Sequence, residues 1–142
     1  MIRAFTLMLL LAGCMNNSPT SLFDARVEVT TDKDEYAIGD SVLVTIRNNS
    51  DRSIFLHHCD WRLSMLIERR IGSEWVEEMG IRGPICPAIL PSGRVAVASG
   101  GSESESVVVE QAGDYRLRMK AEAEDPAAGV LSLASNTFRV VD

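Results

Sequence analysis

Apolar and polar residues alternate one by one in short runs from residue 27 to residue 141, and this period of two restricts the chain to strands buried on one face. Val27 and Val29 alternate with Glu28 and Thr30, and Val42, Val44 and Ile46 alternate with Ser41, Thr45 and Arg47. Further strands are predicted over 54–59, 63–69 and 74–78, at Val95 and Val97, and over 104–110, 114–123 and 131–141. Asp32, Lys33, Asp34 and Glu35 form a polar break, residues 36–40 read as a turn, and residues 80–91, with Pro84, Pro87 and Pro91, read as an irregular loop. The Ser/Gly/Glu run over 99–106 reads as a solvated inter-strand loop. Many short strands at this spacing specify an all-β sandwich or barrel. With 142 residues, 46% of them hydrophobic, the chain can bury one core but not two full-sized ones.

The beginning of the chain is of a different kind. Met1, Ile2 and Arg3 make a positively charged start, residues 4–12 form an apolar run of nine, and small Gly13 precedes Cys14. This is the pattern of an export signal. A membrane-spanning helix needs about 20 apolar residues, and here Asn16, Asn17, Ser18 and Pro19 end the run. Leu11-Ala12-Gly13-Cys14 resembles the bacterial lipobox. The resemblance implies a diacylglyceryl group on Cys14, cleavage just before it, and acylation of the freed amine. Two or three acyl chains, at about 0.8 kcal/mol per buried methylene, would hold the protein on a membrane. Residues 15–21 read as a polar tether of at most about 24 Å. The expected organisation is a signal peptide over 1–13, a lipidated Cys14 with its tether over 14–23, and one β-sandwich over 24–142. By resemblance to sorting rules, Met15 after the anchor points to the outer membrane, facing the periplasm, in a diderm host. In a monoderm host the protein would sit on the outer face of the plasma membrane.

Several short motifs occur in a fixed order after the tether: Tyr36-x-x-Gly39-Asp40-x-Val42, the strand end 44–49 closing on Asn48 and Asn49, Gly113-Asp114-Tyr115, and Ser135-Asn136-Thr137-Phe138. Together they resemble the bacterial immunoglobulin-like domains of exported proteins across about residues 25–141. The resemblance implies an immunoglobulin-like antiparallel β-sandwich and no particular activity. The intracellular proteinase inhibitors of bacilli share the sandwich and the early Tyr-x-x-Gly turn, but this chain departs from them in its export signal and its cysteines. Tyr115 at a late strand start suits a tyrosine corner, in which the hydroxyl returns to nearby backbone; a plain strand-start tyrosine is the alternative.

With Cys14 lipidated, two cysteines remain, Cys59 and Cys86, and an exported domain meets oxidising conditions in a diderm host. A Cys59–Cys86 disulfide is expected. Closing that loop of 28 residues would stabilise the fold by about 3.6 kcal/mol in the chain-entropy model.

No residue set reads as catalytic. There is no Gly-x-Ser-x-Gly elbow, and the two histidines, His57 and His58, are adjacent. Strand alternation sends His57 and Cys59 to one face and His58 and Asp60 to the other, so one metal ion cannot collect all four. Glu77 and Glu78 likewise diverge. Asp32, Asp34, Glu35 and Asp40 lack the spacing of a calcium loop and read as a solvated acidic turn that protects a strand edge. No cofactor and no metal site is expected. Trp61 and Trp75 read as core residues beside the disulfide, with an exposed binding surface for protein or sugar as the alternative.

The formal charge is −6, and once Arg3 is removed with the signal, thirteen basic residues face twenty acidic ones, a balance of −7. The basic residues are scattered along the sequence, which disfavours nucleic acid and anionic lipid surfaces as partners. The expected role is that of a non-catalytic, membrane-anchored envelope lipoprotein that contacts an envelope protein or glycan. The alternative is a ligand-binding or protease-inhibitor module using the loops near Cys59, Cys86 and Trp61. Intact mass of the membrane-extracted protein should show loss of residues 1–13 plus acyl chains and a two-proton gain on reduction; a Cys14→Ser variant should lose the acyl mass, and an unacylated parent with free thiols would overturn both expectations.

Overall fold

In a computed structural model the described residues are 26–59, 61–78, 92–124, 127 and 129–142. The export signal, Cys14, the tether, Asp60 and Cys86 lie outside them. Twelve strands are described: β1 (Val27–Thr31), β2 (Glu35–Ala37), β3 (Ser41–Asn48), β4 (Ile54–Cys59), β5 (Arg62–Leu63), β6 (Met65–Ile71), β7 (Glu74–Glu77), β8 (Ser92–Val97), β9 (Ser102–Val108), β10 (Gly113–Ala123), β11 (Val130–Ala134) and β12 (Phe138–Val141). They form a three-stranded sheet, β1-β3-β9, and a nine-stranded sheet built around β10. The fold is an all-β, immunoglobulin-like sandwich. One pairing departs from the antiparallel rule: β2 runs parallel to β12.

The alternation seen in the sequence is the alternation of burial. Val42, Val44 and Ile46 of β3 are completely buried, as are Tyr115, Leu117 and Ala121 of β10 across the sandwich. Each such aliphatic side chain contributes about 1.5–3 kcal/mol of transfer free energy. β10 is the longest strand, with 11 residues, and pairs in turn with β12, β6, β11 and β4.

The motif residues meet one another. The Phe138 ring lies 5.9 Å from Tyr115 in a stacked arrangement and 5.6 Å from Tyr36 edge-on. The Tyr115 hydroxyl donates to the Gln111 carbonyl at 3.0 Å, four residues upstream, which is a tyrosine corner. The Tyr36 hydroxyl donates to Asp32 Oδ1 at 2.7 Å, and that bond holds the Asp32 carboxyl below its ordinary range. Burial, followed by the same bond, pushes the Tyr36 hydroxyl up. Asn48, wholly buried, donates from Nδ2 to the carbonyls of Arg52 and Val97, while its Oδ1 accepts from Ser50. Buried polar groups of this kind persist only when they are paired. At Gly39, φ is +83°, a conformation open to glycine at little cost, and its N–H reaches the Val109 carbonyl at 3.0 Å.

Four sequence expectations are corrected. The solvated loop expected over 99–106 gives way to β9 at Ser102, two residues before the strand expected from Ser104, in register with β3 from Arg47 opposite Ser102 to Ser41 opposite Val108. Serine and glutamate suit this edge strand because its polar groups face water or the rim of the sandwich. Tyr36 and Ala37 belong to strand β2 rather than a turn, because the parallel pairing with β12 supplies the hydrogen bonds. The expected strand over 131–141 is two strands, since Ser135 Oγ accepts the Leu117 N–H at 2.9 Å and Asn136 turns to accept the Thr31 N–H at 2.9 Å. Asp32 is a hydrogen-bond acceptor for Tyr36 and for the Leu43 N–H, not a purely solvated charge.

Two substitutions separate the corner from the ring cluster. Tyr115→Phe keeps the stack on Phe138 and loses one hydrogen bond, so urea denaturation should show a loss of about 1 kcal/mol, whereas Phe138→Ala opens a cavity and should cost about 3–5 kcal/mol. Equal costs would mean that the hydroxyl, not the ring, holds this end of the core.

Candidate functional site

The segment between β4 and β5 carries the most exposed large apolar side chain described. Trp61 is 83% exposed and has φ +68°, the one positive φ among the described residues other than glycine. A left-handed conformation costs an L-residue about 1–2 kcal/mol, and such strain persists where the surroundings over-determine it. Here both flanks are fixed. Cys59, on the β4 side, is 2% exposed. On the β5 side Arg62 donates to the Ser106 carbonyl at 2.7 Å, and the Leu63 N–H donates to Glu105 Oε2 at 3.1 Å, tying β5 to β9 of the opposite sheet.

The indole lies nearly parallel to the His58 ring, 6.0 Å between centroids and 12° between planes. His58 in turn rests against Gly93 of β8: a Cβ at that position would stand 2.6 Å from His58 Nε2. The absence of a side chain at Gly93 therefore creates the seat for His58, and His58 supports Trp61. The core position expected for Trp61 is thus corrected, because the chain reverses direction there in a left-handed residue that points its ring out of the sandwich. Trp75 is not a core residue beside Cys59 either; it sits half-buried on β7 with the Arg116 guanidinium 4.6 Å above its ring.

The two histidines diverge, although not by simple alternation. The burial pattern of β4 loses its period at the end, with Leu56 and Cys59 buried and both histidines partly exposed. While His58 supports Trp61, His57 Nε2 lies 2.9 Å from Glu122 Oε1 on the outer face of the large sheet. Glu122 also accepts from Arg94 at 2.8 Å, and the hydrogen bonds from Arg94 first and His57 second hold its carboxyl below the ordinary range. Among the described residues no cluster of three or more His, Cys, Asp or Glu side chains is placed to hold a metal ion. The expected disulfide partner Cys86 and the anchor Cys14 lie outside the described residues.

The sequence reading missed one feature of this outer face. Basic residues that look scattered along the chain come together on it: Arg116, Arg118 and Lys120 alternate along β10, and Arg94 joins them from β8. Glu68, only 4% exposed, is gripped by Arg116 Nε at 2.6 Å and by Arg118 Nε at 3.0 Å. The signal was present in the spacing of 116, 118 and 120, every second residue on one strand face.

No family model matches the chain, and no curated protein matches it. Among solved structures it is similar to the seventh PapD-like domain of human CEP192, with TM-score 0.41, 10% identity and 99% of each chain covered. It is also similar to WR4, a C. elegans MSP family member, with TM-score 0.36, 10% identity, 78% of this chain and 95% of that one. A third likeness is to part of the Pseudomonas fluorescens alkylpurine DNA glycosylase AlkC, with TM-score 0.41, 6% identity, 82% of this chain and 31% of that one. At these values the likenesses carry no argument about function.

The strain at Trp61 is open to measurement. Trp61→Gly removes the left-handed penalty and Trp61→Ala keeps it, so the glycine variant should be the more stable of the two by about 1 kcal/mol in urea denaturation. An alanine variant at least as stable as the glycine variant would show that position 61 is unstrained.

Proposed function

We propose that this protein is a non-catalytic lipoprotein of the bacterial envelope, anchored through lipid on Cys14, whose sandwich contacts an envelope protein through the Trp61 loop. The single observation that carries this reading is Trp61 itself: a large aromatic side chain, 83% exposed, held in a strained backbone conformation on the His58 ring. Exposed tryptophan loses solvent contact on every occasion that a partner covers it, and indole is among the residues that dominate protein contacts. A loop fixed at both ends loses little conformational freedom on binding.

The Cys59–Cys86 disulfide belongs to this reading. Its support is the deep burial of Cys59 at the end of β4. The lipid anchor rests on the motif ending at Cys14. Outer-membrane placement facing the periplasm rests on Met15 and applies to a diderm host; the outer face of the plasma membrane is its counterpart in a monoderm. The second reading, a ligand-binding or protease-inhibitor module using the same loops, draws on the same exposed indole, with a glycan or a protease in place of the envelope protein.

A photoreactive residue placed at position 61 of the lipidated protein in its host envelope should give one dominant protein adduct, lost when Gly93→Ala displaces the His58 support and retained in Lys120→Gln. A dominant glycan adduct or co-purification with an inhibited protease would favour the second reading, and equal adducts from probes at 61 and at Glu28 of β1 would overturn both.

A further inference from the structure

In the middle of β10 the large sheet forks. β10 pairs with β6 as far as Met119 opposite Met65, and with β4 from Ala121 opposite Leu56. Lys120 stands between these pairings with neither strand beside it, and its one register partner is Ser132 of β11. The departing strands are stitched by the Ser64 N–H, which donates to the His57 carbonyl at 2.8 Å. A cleft of about 570 Å³ opens at the fork, within the size range of small-molecule sites.

The cleft is two-sided in chemistry. Leu66, 37% exposed, is the open apolar side chain of the cleft, and Met65 and Met119, both 4% exposed, close its floor from the core side. Arg118, Lys120 and the hydroxyls of Ser64 and Ser132 line the other. The carboxylates nearby are already engaged: Glu68 is shared by Arg116 and Arg118, and Glu122 by Arg94 and His57. Arg118 meets Glu68 through Nε, and its side chain remains 43% exposed. Lys120 makes no ion pair among the described residues. An acidic chain, with formal charge −6, therefore carries an unmatched cation beside an apolar cleft.

We propose that this cleft binds a small amphiphilic anion, its headgroup on Lys120 and Arg118 and its short aliphatic body on Leu66 and on the methylene stems of those two cations. An anionic headgroup converts the Lys120 ammonium into a charge-assisted hydrogen bond, and guanidinium offers a planar fork to carboxylate or phosphate oxygens. Lysine and arginine stems offer methylenes to an aliphatic chain while their charged heads reach the headgroup. Ser64 and Ser132 supply hydroxyls for the remaining headgroup oxygen. Among the described residues Trp61 does not line this cleft, whereas His57, the neighbour of its support His58, does.

The test is titration of the full chain carrying Cys14→Ser, without detergent, by calorimetry and backbone amide NMR. The probes are hexanoate, octanoate, octyl phosphate, 1-octanol and inorganic phosphate. One site is expected for octanoate or octyl phosphate, with amide shifts at Ser64, Lys120 and Ser132; the tighter of the two identifies the headgroup as carboxylate or phosphate. Lengthening hexanoate to octanoate should tighten binding on the order of ten-fold, as two more buried methylenes require. Lys120→Gln should weaken binding at least ten-fold with an unchanged melting temperature, Leu66→Glu should abolish it, and Trp61→Ala should bind as the parent does. Affinity unchanged by Lys120→Gln, 1-octanol binding as tightly as octanoate, or inorganic phosphate binding as tightly as octyl phosphate would overturn the proposal.

Discussion

Strand β10 is the constraint on which the rest of this molecule depends. Its eleven residues hydrogen-bond to four other strands, and its side chains alternate between two environments along its length. The inward set, Tyr115, Leu117, Met119 and Ala121, forms the floor of the core against β3. The outward set, Arg116, Arg118, Lys120 and Glu122, makes the charged face. A one-residue slip would exchange these sets, burying three cations and exposing the core. The Tyr115 hydroxyl on the Gln111 carbonyl fixes the strand's start and so resists that slip.

The same strand explains why both sites occur where they do. Because β10 gives up β6 and takes β4, the sheet forks at Lys120 and leaves a cleft on its outer face. Because β4 then runs on to the β5 hairpin, Cys59 is driven into the interior while Trp61 is turned out. The cross-sheet bonds from Arg62 and Leu63 to β9 tie that hairpin to the smaller sheet. Glu105 of β9, where the expected solvated loop and the expected strand overlap in sequence, is the acceptor that makes this tie possible.

Much of the fold was legible because the motifs bear on the backbone. Tyr36, Tyr115 and Phe138 lie far apart in the chain yet pack as one cluster, and each begins or lies in a strand of the large sheet. Asn48 closes β3 by satisfying backbone carbonyls, and Ser135 and Asn136 break the last segment into β11 and β12. The break at Ser135 was not visible, because it depends on bonds to residues distant in the chain, from the Leu117 N–H to Ser135 and from the Thr31 N–H to Asn136. The parallel β2–β12 pair was missed for the same reason, since three residues carry no period of their own.

The sequence by itself determined which residues face the core, since a period of two can be read without knowing any partner strand. It also determined the turn at Gly39, where a positive φ calls for glycine. Only the tertiary structure decided that Trp61 is exposed, because its hydrophobicity argues for burial and the left-handed turn against it depends on anchors at β9 and on the space above Gly93. Only the tertiary structure, too, decided that arginines and a lysine dispersed along an acidic chain share one face with a cleft. Strand pairing sets those neighbours across long sequence separations, and no local pattern encodes it.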